Sequence, residues 1–221
     1  MACGFEPHPG HLSVSEPDLA SPGERVTISD GTSILVRPIQ PADKKAIEIG
    51  FEQLSEESRY RRFFAPLVRL SARDLAYLTE VDHHDHEALI AHSEEGEPLG
   101  VARYIRGDDP EKAEVAVVVV DDWQRRGVAT ALLTRLTDRA RAEGIHTFTA
   151  TVLAENRRAL DLMSSMGESH RVGGEHSTVE MEIELPQAGL GRRLREALRH
   201  AASGMLAGRD PAHPLVRLHR R

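Results

Sequence analysis

Seven consecutive residues, Gln124-Arg125-Arg126-Gly127-Val128-Ala129-Thr130, put two cations, one glycine and a small side chain just ahead of an apolar-faced helical stretch. A helix entered in this way leaves its first backbone N–H groups without intrahelical partners and its positive dipole end open. Together these make a site for an anion such as a phosphate. Gly127 lets the backbone approach a ligand closely, Ala129 keeps the next turn small, and Arg125 and Arg126 add positive charge. The segment lacks the G-K-[ST] ending of a Walker A loop and has a single glycine where a dinucleotide fingerprint has three, so both nucleotide readings weaken. On spacing alone, an ordinary strand-to-helix connection explains the segment equally well.

Two other clusters carry candidate chemistry. Asp82-His83-His84-Asp85-His86 has the residue types of a metal site, but neighbours on an extended chain point to opposite sides and zinc needs converging ligands. The cluster reads as a polar turn, with no metal expected. Arg59, Arg61 and Arg62 alternate with Tyr60, Phe63 and Phe64 in a pattern that could stack on nucleic acid. The expected arrangement instead buries the aromatics in the core and pairs the arginines with nearby acids such as Glu56 and Glu57.

Composition narrows the partners further. The chain has 221 residues, 29% of them charged, and a formal charge of -7, which suits one well-packed domain with appendages. The last 35 residues hold eight Lys/Arg against two Asp/Glu, whereas the first 186 hold 20 against 33. An acidic body argues against nucleic acid as the main partner, because phosphate neutralisation needs clustered Lys/Arg. The longest uninterrupted apolar run, Val115 to Val120, is far short of the roughly 20 residues of a membrane span. The lone Cys3 and the lack of an apolar signal segment lead us to expect a cytoplasmic protein with no membrane association.

The elements that must position the loop follow from periodicity. Residues 1–24, rich in Pro and Gly with few large apolar side chains, are expected to form a disordered leader. Val26 to Ile28 and Ser33 to Ile39 flank Asp30-Gly31 as the arms of a hairpin. A helix near 41–54 has Ile47, Phe51 and Leu54 on one face, a second covers Glu56 to Phe64, and Ser71 with Asp74 forms a capping box for a third. Ala88 to Ala91, Leu99 to Ile105 and Glu114 to Val120 then read as an antiparallel meander, the unbroken valine run implying burial on both faces. After the loop, Leu132, Leu133, Leu136 and Ala140 share a helix face ended by Gly144, and Ile145 to Val152 forms a strand. A helix from about Glu155 to Met166 follows, and Val179 to Leu185 is expected to close the sheet as a half-exposed strand. These elements make up an expected domain over 25–186. Residues 187–221 read as a basic amphipathic tail with Leu190, Leu194 and Leu198 on one stripe, packing against its own acidic body or against a second copy of the chain as a homodimer.

Gln124-x-x-Gly127-x-Ala129 following Glu114-Val-Ala-Val-Val-Val-Val resembles the Q/R-x-x-G-x-G/A pyrophosphate loop of the GNAT-type N-acetyltransferase superfamily. The order of elements over 26–185 is similar to that family's, and Asn156-x-x-Ala159 heads the following helix as it does there. Leu35-Val-Arg-Pro-Ile, Ser58-Arg-Tyr-Arg-Arg-Phe-Phe, Val81-Asp-His, Gly100-Val-Ala-Arg-Tyr and Ala113-Glu-Val-Ala resemble the bacterial Pat-type protein lysine acetyltransferases more narrowly. The resemblance implies an α+β GNAT fold, with a mixed central sheet of about six to seven strands flanked by helices. It implies acetyl-CoA as donor, its pyrophosphate on the amides of Arg125, Arg126, Gly127, Val128, Ala129 and Thr130, and its pantetheine along Val118, Val119 and Val120.

Acetyl transfer to an amine needs the amine neutral, and a lysine ammonium, with a reference pKa of about 10.4, is mostly protonated at neutral pH. The residue matching the Pat-type base is Glu114; without the resemblance it reads equally well as a solvated acid at a strand end. The resemblance places the oxyanion on a strand amide near Val118, and Asn156 near the sulfur. Many relatives have a tyrosine where Met163 stands, which leaves Ser164, Ser165 or water to protonate the thiolate, or the thiolate to leave unprotonated. The implied function is acetylation of an amine, with a protein lysine such as that of an acyl-CoA synthetase as acceptor. A small-molecule amine acetyltransferase and a non-catalytic acyl-CoA-binding regulator are the alternatives.

Overall fold

The computed structural model describes residues 23–174 and 177–186. The leader up to residue 22, with Cys3, and the basic segment 187–221 lie outside the described residues. The Asp30-Gly31 turn folds β1 (Glu24–Thr27) antiparallel onto β2 (Ser33–Pro38), with Gly31 at φ 86°. Residue 24, assigned to the leader, therefore already belongs to a strand. A 3₁₀ turn at Pro41–Asp43 leads into α1 (Lys44–Glu52), followed by α2 (Glu56–Phe63) and α3 (Ala72–Thr79). Ser71 accepts the Asp74 amide and Asp74 accepts the Ser71 amide, the reciprocal cap expected from those two residues.

The meander is β3 (His86–His92), β4 (Pro98–Arg106) and β5 (Lys112–Val119). From β5 the chain passes through α4 (Val128–Ala142) to β6 (Thr147–Leu153), then α5 (Arg157–Ser164), β7 (Glu168–Gly173) and β8 (Thr178–Glu184). All eight strands join one sheet in the order β1-β2-β3-β4-β5-β6-β8-β7, and the β5–β6 pair is parallel while the others are antiparallel. The expected six to seven strands fall short because β7 escapes the sequence pattern. It reads Glu-Ser-His-Arg-Val-Gly, has no buried residue, and pairs on one side only. β8 therefore does not close the sheet; it lies between β6 and β7, burying Met181 and Ile183 and turning its glutamates outward.

The helices cover the two faces unequally. Ala131, Leu132, Leu136 and Ala140 of α4, with Leu160 and Met163 of α5, pack against the Tyr104, Val115, Phe148 and Ile183 face in the main core. On the opposite face a smaller cluster joins Ile47 of α1 to Ile39, Ala88 and Ile90, with Leu75 and Leu78 of α3 against it.

At the edge of that cluster Arg37 and Asp43 form a fully buried bidentate pair at 2.6 and 2.7 Å. Nearby, His92 is buried with neither ring nitrogen hydrogen-bonded, and burial, reinforced by the charge of Arg37, pulls its pKa down to about 4. The fold thus keeps His92 neutral, so its contribution is present above the unfolded-state pKa of about 6.5 and is lost as pH falls toward 4. At about 1.4 kcal/mol per unit, the native state loses on the order of 3 kcal/mol from this residue across that window. Chemical denaturation at pH 7 and pH 4.5 is expected to show His92→Leu losing markedly less stability than the wild type. Equal losses in the two proteins exclude this account.

Candidate active site

The β5–β6 pair hydrogen-bonds only over Lys112–Glu114 against Thr147–Thr149, although β5 continues to Val119 and β6 to Leu153. Beyond Glu114 the two strands part. The unbroken valine run was expected to be buried on both faces, but Ala116, Val117 and Val118 are only half-buried, because they line the opening between the strands. The resulting cleft has a volume of about 530 Å³. Its walls include Glu114 through Val119 of β5, Ala150 to Val152 of β6, and Asn156 and Met163 at the two ends of α5.

At one end of the cleft lies the N-terminus of α4. Gly127 sits at its N-cap with φ 101°, and no side chain caps the helix. Arg125 is also left-handed, at φ 63°, so two left-handed residues flank Arg126 and turn the main chain sharply at the helix entry. A side chain at Gly127 meets the Ser29 backbone nitrogen and Oγ, each at 2.9 Å, in a conformation that L residues rarely adopt. The loop is pinned to the β1–β2 turn: Ser29 donates to the Arg126 carbonyl from both its amide (3.2 Å) and its hydroxyl (2.8 Å), and Arg126 Nε donates to Asp30 at 2.5 Å. That guanidinium, with Thr32, holds the Asp30 carboxyl down to about 2. The Arg126 side chain also stacks on Trp123 at 3.8 Å, so it braces the loop from outside and does not enter the cleft.

Gln124 is a tie within the protein. Its side-chain amide reaches the Val119 carbonyl (3.2 Å), Asp121 Oδ1 (3.0 Å) and Ser58 Oγ (3.2 Å), while the Ser55 amide donates to Asp121 Oδ2 (3.2 Å). The end of β5, the loop and α2 are thereby joined. Glu114 lies at the opposite end of the exposed β5 segment, solvent-accessible and on the same sheet face as its partner Thr149. Asn156 caps α5, its Oδ1 accepting the Ala159 amide at 3.2 Å, and lines the cleft wall.

Of the twelve residues singled out from sequence, Glu114, Val118, Val119, Gln124, Arg125, Gly127, Ala129, Thr130 and Asn156 line the cleft. Val128 is buried in the main core, Arg126 turns to Asp30, and Val120 faces a second cavity. This smaller space of about 60 Å³ lies between β4–β5 and α1–α3, and shares Arg62, Ala116 and Val118 with the cleft. Of the serines considered as thiolate acids, neither lines the cleft, and Ser165 Oγ donates to the Leu162 carbonyl at 2.6 Å. Met163 does line it.

Sequence reasoning missed Ser58, Arg61, Arg62, Trp123 and Arg158, all in the cleft wall. The Arg-rich stretch at 58–64 was itself the signal, but reading its aromatics as core concealed it. Phe63 does pack, 5.8 Å from Phe51, whereas Tyr60 is 45% and Phe64 41% exposed. Arg61 pairs with Glu57 as expected. In the Asp82–His86 segment the Asp82 carboxylate accepts the amides of His84, Asp85 and His86, which organises a turn. No helix among the described residues is long and apolar enough to cross a membrane.

The parallel pair thus opens into a cleft with an uncapped helix N-terminus at one end and a carboxylate at the other. The chain belongs to the GNAT acetyltransferase family, whose description, Acetyltransferase (GNAT) family, matches residues 51–167. It is 33% identical over 164 residues to the acetyltransferase Pat of Mycolicibacterium smegmatis, covering 73% of this chain and 48% of that protein, so it spans about half that relative's length. A Pseudomonas aeruginosa acetyltransferase, PA5475, is 29% identical over 144 residues, or 64% of this chain and 77% of that one. Among solved structures, the GNAT domain of S. lividans PAT superposes with a TM-score of 0.69 at 35% identity, over 74% of this chain and 97% of that domain.

Proposed function

We propose that this protein transfers an acetyl group from acetyl-CoA to the ε-amine of a protein lysine, with Glu114 as general base. The observation that carries the reading is the opening of β5 from β6, which runs a continuous cleft from the α4 amides to Glu114. The amides at 125–130 hold the pyrophosphate, and the parted edge of β5 around Val117–Val119, apart from the Val119 carbonyl that Gln124 takes, offers main-chain groups to the pantetheine arm. Val120, turned into the second cavity, has no part in this.

In the transfer step Glu114 accepts a proton from the acceptor ammonium, directly or through one water, and the neutral nitrogen attacks the thioester carbonyl carbon. A β5 amide near Val118 stabilises the oxyanion, the C–S bond breaks, coenzyme A leaves as thiolate, and the nitrogen sheds its second proton to solvent as the amide forms. With methionine at 163 and the nearby serines outside the cleft, solvent protonates that thiolate. Asn156 keeps its side-chain NH₂ as a donor toward the cofactor, its carbonyl being used by Ala159.

The resemblance of the 35–39, 58–64 and 113–116 segments to Pat-type protein lysine acetyltransferases supports a protein acceptor, and an acyl-CoA synthetase is the first to try. Incubation of the purified protein with acetyl-CoA and such a synthetase is expected to release thiol and to add acetyl to a lysine, read by mass spectrometry. Thiol release with small amines but not with protein lysines establishes the small-molecule alternative. Acetyl-CoA binding without turnover on any amine establishes a binding protein.

A further inference from the structure

The fold gives its buried and bracing arginines carboxylate partners: Arg37 has Asp43, Arg106 has Asp85, Arg126 has Asp30, Arg135 has Glu24 and Arg139 has Glu87. Three guanidiniums break the pattern: Arg59, held by the Glu52 and Val68 carbonyls and the Phe51 ring, and two on the Glu114 side of the sheet. Arg103 of β4 sits opposite Ala116 of β5, on the same sheet face as Glu114. It is buried and held only by His86 Nε2 at 3.0 Å and the Leu78 carbonyl at 3.1 Å. Arg62 of α2, half-buried, lines both the cleft and the smaller apolar cavity; its guanidinium lies 5.1 Å from the neighbouring Phe63 ring and makes no hydrogen bond or ion pair among the described residues. No carboxylate among the described residues comes within ion-pair distance of either, although Arg61 next door is paired with Glu57.

Burial lowers the pKa of both groups, that of Arg103 to about 10, with the charge of Arg62 contributing there. Arg103 is a buried charge without a carboxylate, a costly arrangement, and Arg62 stands half-buried at the cleft wall, where Glu114 acts on it through space without contact, so an anion entering there finds both guanidiniums unmatched. The surroundings fit an organic anion better than a free inorganic one. Phe63, Leu70, Leu78, Val101 and Val118 leave apolar space around the guanidinium, and Glu114 excludes a second negative charge from the reacting end.

We propose that Arg62, backed by Arg103, is a carboxylate receptor for the acceptor substrate, so that the amine presented to Glu114 belongs to a molecule bearing a carboxylate close by. This rests on the acetyltransferase reading above. The carboxylate has two sources, the α-carboxylate of a free diamino acid or a Glu side chain beside an acceptor lysine. Arg62 receives either in a charge-assisted, bidentate manner.

The test compares L-ornithine and L-lysine with their decarboxylated twins, putrescine and cadaverine, and lysine peptides carrying Glu with the same peptides carrying Gln. For the wild type, half-saturation is expected about 10- to 100-fold lower for the carboxylate-bearing member of at least one set, the set identifying the source. Arg62→Ala is expected to erase that ratio and Arg62→Lys to retain part of it. No preference in the wild-type protein overturns the receptor, and this comparison does not depend on any variant folding. Equal loss on both members of each pair in Arg62→Ala overturns it too, since it marks a role for Arg62 in holding Glu114 or α2. Preference for succinyl-CoA over acetyl-CoA, lost in Arg62→Ala and without acceptor preference, assigns the site to the donor and overturns the proposal. If no amine is turned over, calorimetry of L-ornithine against putrescine on the acetyl-CoA-loaded protein decides the same point. Turnover without carboxylate preference leaves the acetyltransferase reading standing, so the two ideas fail separately.

Discussion

Glu114→Gln is expected to lower kcat by about 10²- to 10⁴-fold while leaving acetyl-CoA affinity unchanged. The amide is isosteric and occupies the same place at the end of the parted β5 segment, but it cannot take a proton from the acceptor ammonium. Glu114 is solvent-exposed and makes no ion pair among the described residues, so the substitution removes no buried partner and should leave folding intact. The measurement is steady-state thiol release beside calorimetric titration with acetyl-CoA. In the variant, activity should recover as the assay pH rises toward the acceptor's own pKa, because solvent then supplies the neutral amine. Unchanged turnover at neutral pH, or a loss that high pH does not relieve, removes Glu114 from the role of base.

Gly127→Ala is expected to abolish measurable acetyl-CoA binding at concentrations that saturate the wild type. A side chain at φ 101° carries an intrinsic penalty of about 1–2 kcal/mol, and its Cβ comes to 2.9 Å from the Ser29 backbone nitrogen. That nitrogen belongs to the hairpin turn that fixes the loop through Arg126, so it cannot yield without breaking the same anchorage. Relief by rotating the main chain swings the amides of 127–130 away from the place proposed for the pyrophosphate. Calorimetry performed well below the melting temperature separates this from unfolding. Wild-type affinity in a folded Gly127→Ala protein contradicts the placement of the pyrophosphate at this turn.

Local patterning made most of the framework legible. The capping box at Ser71, the Asp-Gly turn, the helix face of α4 and the alternation in β8 each follow from interactions a few residues apart, which a single sequence displays. The eighth strand was not legible because an exposed edge strand needs no apolar face, and Glu168–Gly173 has none. The valine run misled for a related reason. Its composition is that of a buried strand, but a strand next to a ligand cleft keeps the same composition while facing a cavity, and no periodicity separates the two cases. In the site, the glycine loop's position at a helix entry was readable from residue type and spacing, and Glu114's position in the cleft wall only through family likeness. Arg62 and Trp123 were not, because their significance comes from α2 and the loop meeting across more than 50 residues of chain.

The bridges from Gln124 to Ser58 and from Ser55 to Asp121 mean that the segment proposed to hold the donor and the helix at the proposed acceptor end are hydrogen-bonded to each other. If the proposed placement holds, a motion of α2 on binding one substrate is expected to reach the loop proposed for the other. Thermodynamic reciprocity then fixes the size of the effect: whatever factor the thioester adds to the grip on the amine, the amine adds to the grip on the thioester. Ser58→Ala removes one of the two bridges and is expected to shrink that mutual factor, leaving the protein nearer to treating its two reactants as strangers.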